Sequence, residues 1–161
     1  MILTIHTLSG VIAIITGAWN LVSQKGTQQH RLVGWIYIGS FTMLLLTSFG
    51  IYEMFGGFGP FHIMSIVSTV TLGLAIYFPL RREHYEGWIE HHYFWILYSY
   101  IGLLMATGSH LSRYGPSGWP FWARILLYWG VPLVIGSALI FRKKTQILER
   151  YQASQTSESA V

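Results

Sequence analysis

The chain has 161 residues, of which 52% are hydrophobic and only 10% charged, and it contains no cysteine. Soluble domains carry about 25% charged residues, and the lack of thiols excludes disulfides, thiolate metal sites and cysteine nucleophiles. The net charge of +4 lies in short segments between long uncharged runs, which argues against a nucleic-acid partner and for a lipid bilayer.

Residues 1–24, 32–52, 54–80, 91–112 and 125–141 contain no Asp, Glu, Lys or Arg. A helix needs roughly 20 apolar residues to cross the hydrocarbon core, so the expected fold is all-α, a transmembrane bundle of five helices. The first run lacks a basic n-region and a small-residue cleavage site and reads as helix 1, about Ile2 to Ser23. Its stripe His6, Gly10, Ala13, Gly17, Asn20 carries small residues at helical spacing. Such a stripe marks the face on which a neighbouring helix packs closely.

A polar turn leads to His30-Arg31 at the start of helix 2, which is expected to end near Glu53. Gly56-Gly57-Phe58-Gly59-Pro60 forms a turn, and Pro60 suits the first turn of helix 3, which also holds His62. Helix 3 runs to Leu80. A polar segment from Glu83 to Glu90 follows, and His91-His92 open helix 4, which ends near His110. Arg113 to Pro120 reads as a loop. Trp119 and Trp122 then anchor helix 5, whose Pro132 is tolerated where neighbours satisfy the freed carbonyl. The sequence predicts one transmembrane domain over 1–150 and a disordered polar tail over 151–161.

With the amino terminus outside, inner segments hold Lys25, Arg31, Arg81, Arg82, Arg142, Lys143, Lys144 and Arg150, and outer segments only Arg113 and Arg124. The positive-inside rule therefore predicts the amino terminus outside, the carboxyl terminus in the cytoplasm, and an inner (plasma) membrane location.

On this topology the histidines sort by side. His6, His62 and His110 lie at the outer helix ends with Glu53; His30, His84, His91 and His92 lie at the inner ends. His92 and His110 share one face of helix 4, separated by roughly 27 Å along its axis. Imidazole ligates transition metals and haem iron. On the inner side, His30 and His92 could pair on a b-type haem, with Arg31 near a propionate. On the outer side, His6, His62 and His110 could hold zinc or copper, with Glu53 or water as the fourth ligand. The competing reading is that these histidines cap helices and bind loop carbonyls. His84 and His91, in a polar segment, are taken that way. No phosphate loop, nucleophile elbow, inverted repeat or midplane charge is present. No catalytic base or nucleophile stands out.

Lys25-Gly26-Thr27-x-x-His30-Arg31-x-x-Gly34-x-x-Tyr37 resembles the hallmark of the bacterial membrane proteins grouped as DUF2306. His6-x-x-x-Gly10, Pro60-Phe61-His62, Trp88-x-x-x-His92 and Ser99-Tyr100-x-Gly102-Leu103 extend the resemblance over about residues 3–110. It implies a membrane fold and singles out His6, His30, Arg31, His62 and His92, and it sets an acidic residue where His110 stands. It implies no reaction, since the family's function is unassigned. The expected function is a histidine-ligated cofactor, haem b or a transition metal, serving electron transfer or metal handling with a redox or membrane-protein partner. The alternative is a non-catalytic bundle, an assembly factor or small-ligand binder with structural histidines.

Overall fold

The computed structural model describes residues 1–51, 56–111 and 118–159, and among these there is helix and turn but no strand. Four helices come first: α1 (Ile2–Val22), α2 (Gln28–Ser48), α3 (Pro60–Leu80) and α4 (Trp88–Leu111). A fifth, continuous helix is built from α5 (Phe121–Ile125), a π-helical turn (Leu126–Gly130) and α6 (Val131–Ser159). Four of these five helices are long and apolar enough to cross a membrane, with mean hydropathy between 1.3 and 1.9. Their outer surfaces expose Leu8, Ile15, Leu46, Val70 and Val134, an inside-out pattern that suits lipid as solvent.

The exception is α4, and its position explains why. It packs on α1, α3 and α6, and no residue from His92 to Ser109 is fully exposed. A helix walled in by protein can carry hydroxyls, provided that they find partners. Those of α4 do. Tyr93 donates to the Ile140 carbonyl at 3.0 Å, Tyr98 to Ser137 Oγ at 3.1 Å and Tyr100 to the Ile14 carbonyl at 3.2 Å.

The small stripe of α1 faces inward as its spacing predicts. Ala13 and Gly17 are buried, and a Cβ at Gly17 would lie 2.4 Å from the Tyr100 ring. The turn after α1 is held by Lys25, whose Nζ donates to the carbonyls of Asn20, Leu21 and Ser23, a cation capping a helix C-terminus. Gly26 takes the left-handed conformation, φ 82°. Thr27 then caps α2 by accepting from the His30 N–H at 3.1 Å.

Three boundaries differ from expectation. α2 stops at Ser48, well short of Glu53, because the chain turns there, with the Gly50 and Ile51 amides bonding back to Thr47 and Ser48; Glu53 itself lies outside the described residues. α4 begins at Trp88, since Gly87, at φ 73°, ends the preceding turn and its carbonyl accepts from Glu90 and His91. α6 continues to Ser159: after Gly136 the sequence has neither Gly nor Pro to break it, and the helix runs past Arg150, where the sequence predicts a disordered tail.

Candidate functional site

Because each hairpin reverses the chain, the starts of α2 and α4 share one end of the bundle with Lys25, Arg31, Arg81 and Arg82. This is the basic end. The two helices run parallel, and their register is set by one buried bond. Tyr37 and Ser99 meet at 2.9 Å, 62 residues apart in the chain. Ser99 Oγ also donates to the Ile96 carbonyl at 2.7 Å, so the Tyr37 hydroxyl is the donor between the two. His30 and His92 have the same offset and lie two helical turns nearer the basic end, about 10 Å along the axes.

The two histidines accordingly face one another's neighbourhood. His30 lies within electrostatic reach of Lys25, Arg31 and His92. His92 is anchored to α3, its Nδ1–H donating to the buried Ala75 carbonyl at 2.7 Å. That bond fixes the tautomer and leaves the Nε2 lone pair for a ligand, in the manner of a metal-bound histidine oriented by a carbonyl. His30 Nδ1 is buried without a hydrogen-bond partner, and so is Oδ1 of Asn20. The Asn20 amide lies near Gly34, where an added Cβ would come within 3.4 Å of its nitrogen. Asn20 of α1, His30 and Gly34 of α2, Ala75 of α3 and His92 of α4 thus form a polar cluster at the basic end, with the histidines about two turns from the Tyr37–Ser99 bond. Neither Lys25 nor Arg31 has a carboxylate partner among the described residues; the ion pair found there joins Lys144 to Glu90.

At the opposite end the sequence-derived set separates. His6 and His110 come together, with ring centroids 6.2 Å apart, edge to face. Thr47 Oγ1 donates to the Met43 and Leu44 carbonyls, so in its 3.1 Å bond with His6 the Nδ1–H is the donor. His6 Nε2 therefore also carries a lone pair. His110 stacks on Phe61, with centroids 6.1 Å apart.

His62 has a different task. It is 4% exposed, and its Nδ1 accepts the Gly59 N–H at 3.1 Å, so its other nitrogen bears the proton and is not a ligand. Gly59 has no side chain with which to cap α3, and the residue three positions on supplies the missing half of a capping box. A glycine N-cap followed by a polar N3 residue was the signal that would have found it. Among the described residues, no three of His, Asp and Glu form a group able to hold a metal. His6, His62 and His110 therefore form no such group by themselves, and Glu53, the fourth residue of the expected outer set, lies outside the described residues. His91 is exposed and stacks on Phe78 at 4.5 Å, and His84 is exposed in the turn after α3; neither belongs to the polar cluster.

These features define a polytopic helical membrane protein with a histidine-containing polar cluster at the basic end of its bundle. Residues 3–128 match the family model described as "Predicted membrane protein (DUF2306)". The chain belongs to that family, whose function is unassigned. No curated protein and no solved structure matches it.

Proposed function

We propose that the basic-end polar cluster binds haem b through His30 and His92, and that the protein serves one-electron transfer in the inner (plasma) membrane, with a redox or membrane-protein partner. The observation that carries this is the pair of prepared imidazoles: His92 is locked by Ala75 with Nε2 unencumbered, and His30 has a buried nitrogen without a partner.

Charge decides between ligands. Lys25 and Arg31 make the site positive, with no carboxylate to offset them among the described residues. Two unit charges about 4 Å apart repel by roughly 4 kcal/mol at an effective dielectric of 20, so a bare dication is disfavoured. Haem supplies a Lewis-acidic iron together with its own carboxylates, for which Arg31 is the available cation. His30 and His92 are the residues that would hold it, and when bound it would supply a one-electron couple. His92 is oriented by its bond to Ala75, and the Tyr37–Ser99 bond sets the register of the two helices that carry the histidines. Zinc or copper at the outer end is carried only by His6 Nε2 facing His110, with Glu53 as a further ligand. The eight-to-two distribution of basic residues supports the basic end as cytoplasmic, with the amino terminus outside.

A second reading is a non-catalytic bundle, an assembly factor or small-ligand binder. The hydrogen bonds of His6 to Thr47, His62 to Gly59 and His92 to Ala75 favour it, since each histidine then works as a helix fastener. Purification in detergent, with an absorption spectrum and elemental analysis, separates the readings. Haem requires a Soret band that is lost in His30→Ala and in His92→Ala. Stoichiometric zinc or copper lost in His6→Ala and His110→Ala places the metal at the outer end instead. A colourless, metal-free protein defeats both cofactor readings and leaves the structural one.

A further inference from the structure

The Nδ1–H of His92 finds its acceptor on α3 because that acceptor has been released there. In a regular helix the Ala75 carbonyl accepts the N–H of the residue four positions on. Here that residue is Pro79, the proline inside α3, which has no N–H to give. Ala75 is fully buried, at 0% exposure, and a buried carbonyl left without a donor is costly. His92, reaching across from α4, supplies the missing donor at 2.7 Å. The bond repairs a gap that the proline makes.

Pro79 does not serve as the stop signal of α3. The helix continues through Leu80, and the Arg81 N–H still bonds to the Tyr77 carbonyl at 3.0 Å, in α-helical register. What the proline changes is local: it removes one donor, and its ring crowds the carbonyl four residues back, turning that oxygen out of line with the axis. The consequence reaches the far side of the imidazole. A neutral histidine carries one ring proton, and the hydrogen bond made at one nitrogen decides which nitrogen holds it. With the Ala75 oxygen keeping the proton on Nδ1, Nε2 retains its lone pair. An N–H restored at position 79 would take up that oxygen along the helix axis, and the imidazole would lose its reason to protonate on Nδ1.

We propose that Pro79 is a positioning residue for His92, fixing its tautomer through the Ala75 carbonyl so that Nε2 is the nitrogen offered to a ligand. That use of Nε2 rests on the reading of His92 as a haem ligand, but the tautomer is tested without haem. Both measurements use the full-length protein in detergent in the His30→Ala background, which by that reading holds no haem. Isotope-labelled histidine gives the ring-nitrogen chemical shifts by NMR, and His92→Gln identifies those of His92. The proton is expected on Nδ1 before Pro79→Ala and displaced toward Nε2 after it. Thermal midpoints supply the second measurement. His92→Ala strands the Ala75 carbonyl and Pro79→Ala gives it an N–H. Pro79→Ala should therefore raise the midpoint about 2–4 °C more with His92→Ala present than without it. A His92 protonated on Nε2 from the start, a tautomer unmoved by Pro79→Ala, or equal effects of Pro79→Ala with and without His92→Ala overturns the proposal. Both effects present in a protein that is colourless with His30 intact keep the role of Pro79 and defeat the haem reading; a Soret band with neither effect does the reverse.

Discussion

The Tyr37–Ser99 bond sets the register of the parallel pair α2 and α4, and the two ends of this bond should not be equivalent. Ser99 Oγ donates to the Ile96 carbonyl and accepts from Tyr37. In Tyr37→Phe the serine keeps its donor satisfied and loses only an incoming bond. Transmembrane side-chain bonds of this kind average about 0.6 kcal/mol, so the cost is expected near that value. In Ser99→Ala the Tyr37 hydroxyl, on a side chain only 2% exposed, is a stranded donor. Leaving such a group unpaired costs about 1–3 kcal/mol. Ser99→Ala should therefore destabilise more than Tyr37→Phe. The double variant should cost no more than Ser99→Ala alone, since Tyr37→Phe also removes the stranded donor, with a coupling of about 0.6 and at most about 1.7 kcal/mol. Reversible unfolding in mixed micelles, run on all four proteins of the cycle, measures this. Tyr37→Phe costing more than Ser99→Ala, or a coupling of zero, would refute the donor assignment and with it the register that aligns His30 with His92.

Gly17→Ala is expected to destabilise by about 1–3 kcal/mol, because the new methyl meets the Tyr100 ring and that ring is tied to the Ile14 carbonyl of the same helix. Gly73→Ala, which meets nothing within 4 Å, should be neutral or stabilising by up to about 1 kcal/mol; thermal midpoints in detergent compare the two. Burial lowers the pKa of Lys25 below its ordinary 10.5, so the unfolded chain binds the proton more tightly. Stability should then rise as pH climbs from the depressed folded value toward 10.5 and be level on either side of that window; Lys25→Gln should flatten the slope in pH-dependent melting. A reporter fused to the carboxyl terminus should be active only in the cytoplasm, and activity on the outer face would reverse the orientation.

Much of the fold was legible because lipid enforces a simple code. The charge-free runs gave every helix, Pro60 and Leu80 delimit α3 as expected, and the small stripe of α1 packs inward. The errors lie where charge and hydropathy are silent. Nothing apolar or charged distinguishes Ser48 from the residues after it, so the end of α2 depends on turn bonds at Gly50 and Ile51 that the pattern does not encode. The π-helical turn at Leu126–Gly130 precedes Pro132, whose missing N–H the sequence does show, but the widened geometry it does not. At the site, the inner pair His30 and His92 was visible by type and position. Its neighbours Asn20 and Ala75 were not recognised as such, because a backbone carbonyl and an amide on another helix leave no local motif. The repeated spacing of seven, His30 to Tyr37 and His92 to Ser99, was the clue available. His62 was read as a ligand because its type outweighed its place three residues after Gly59.

The central position of α4 has a consequence for biogenesis. A helix whose tyrosine hydroxyls bond to its neighbours is a poor candidate for release into lipid by the insertion machinery alone, because during synthesis those neighbours must be in place to supply the partners. α3 emerges immediately before it, packs on it and supplies the Ala75 carbonyl for His92. The two should therefore partition into the bilayer as a preassembled hairpin, whereas α1 and α2 have the hydropathy to enter singly. In the assembled protein, the least lipid-like helix is the one that carries His92.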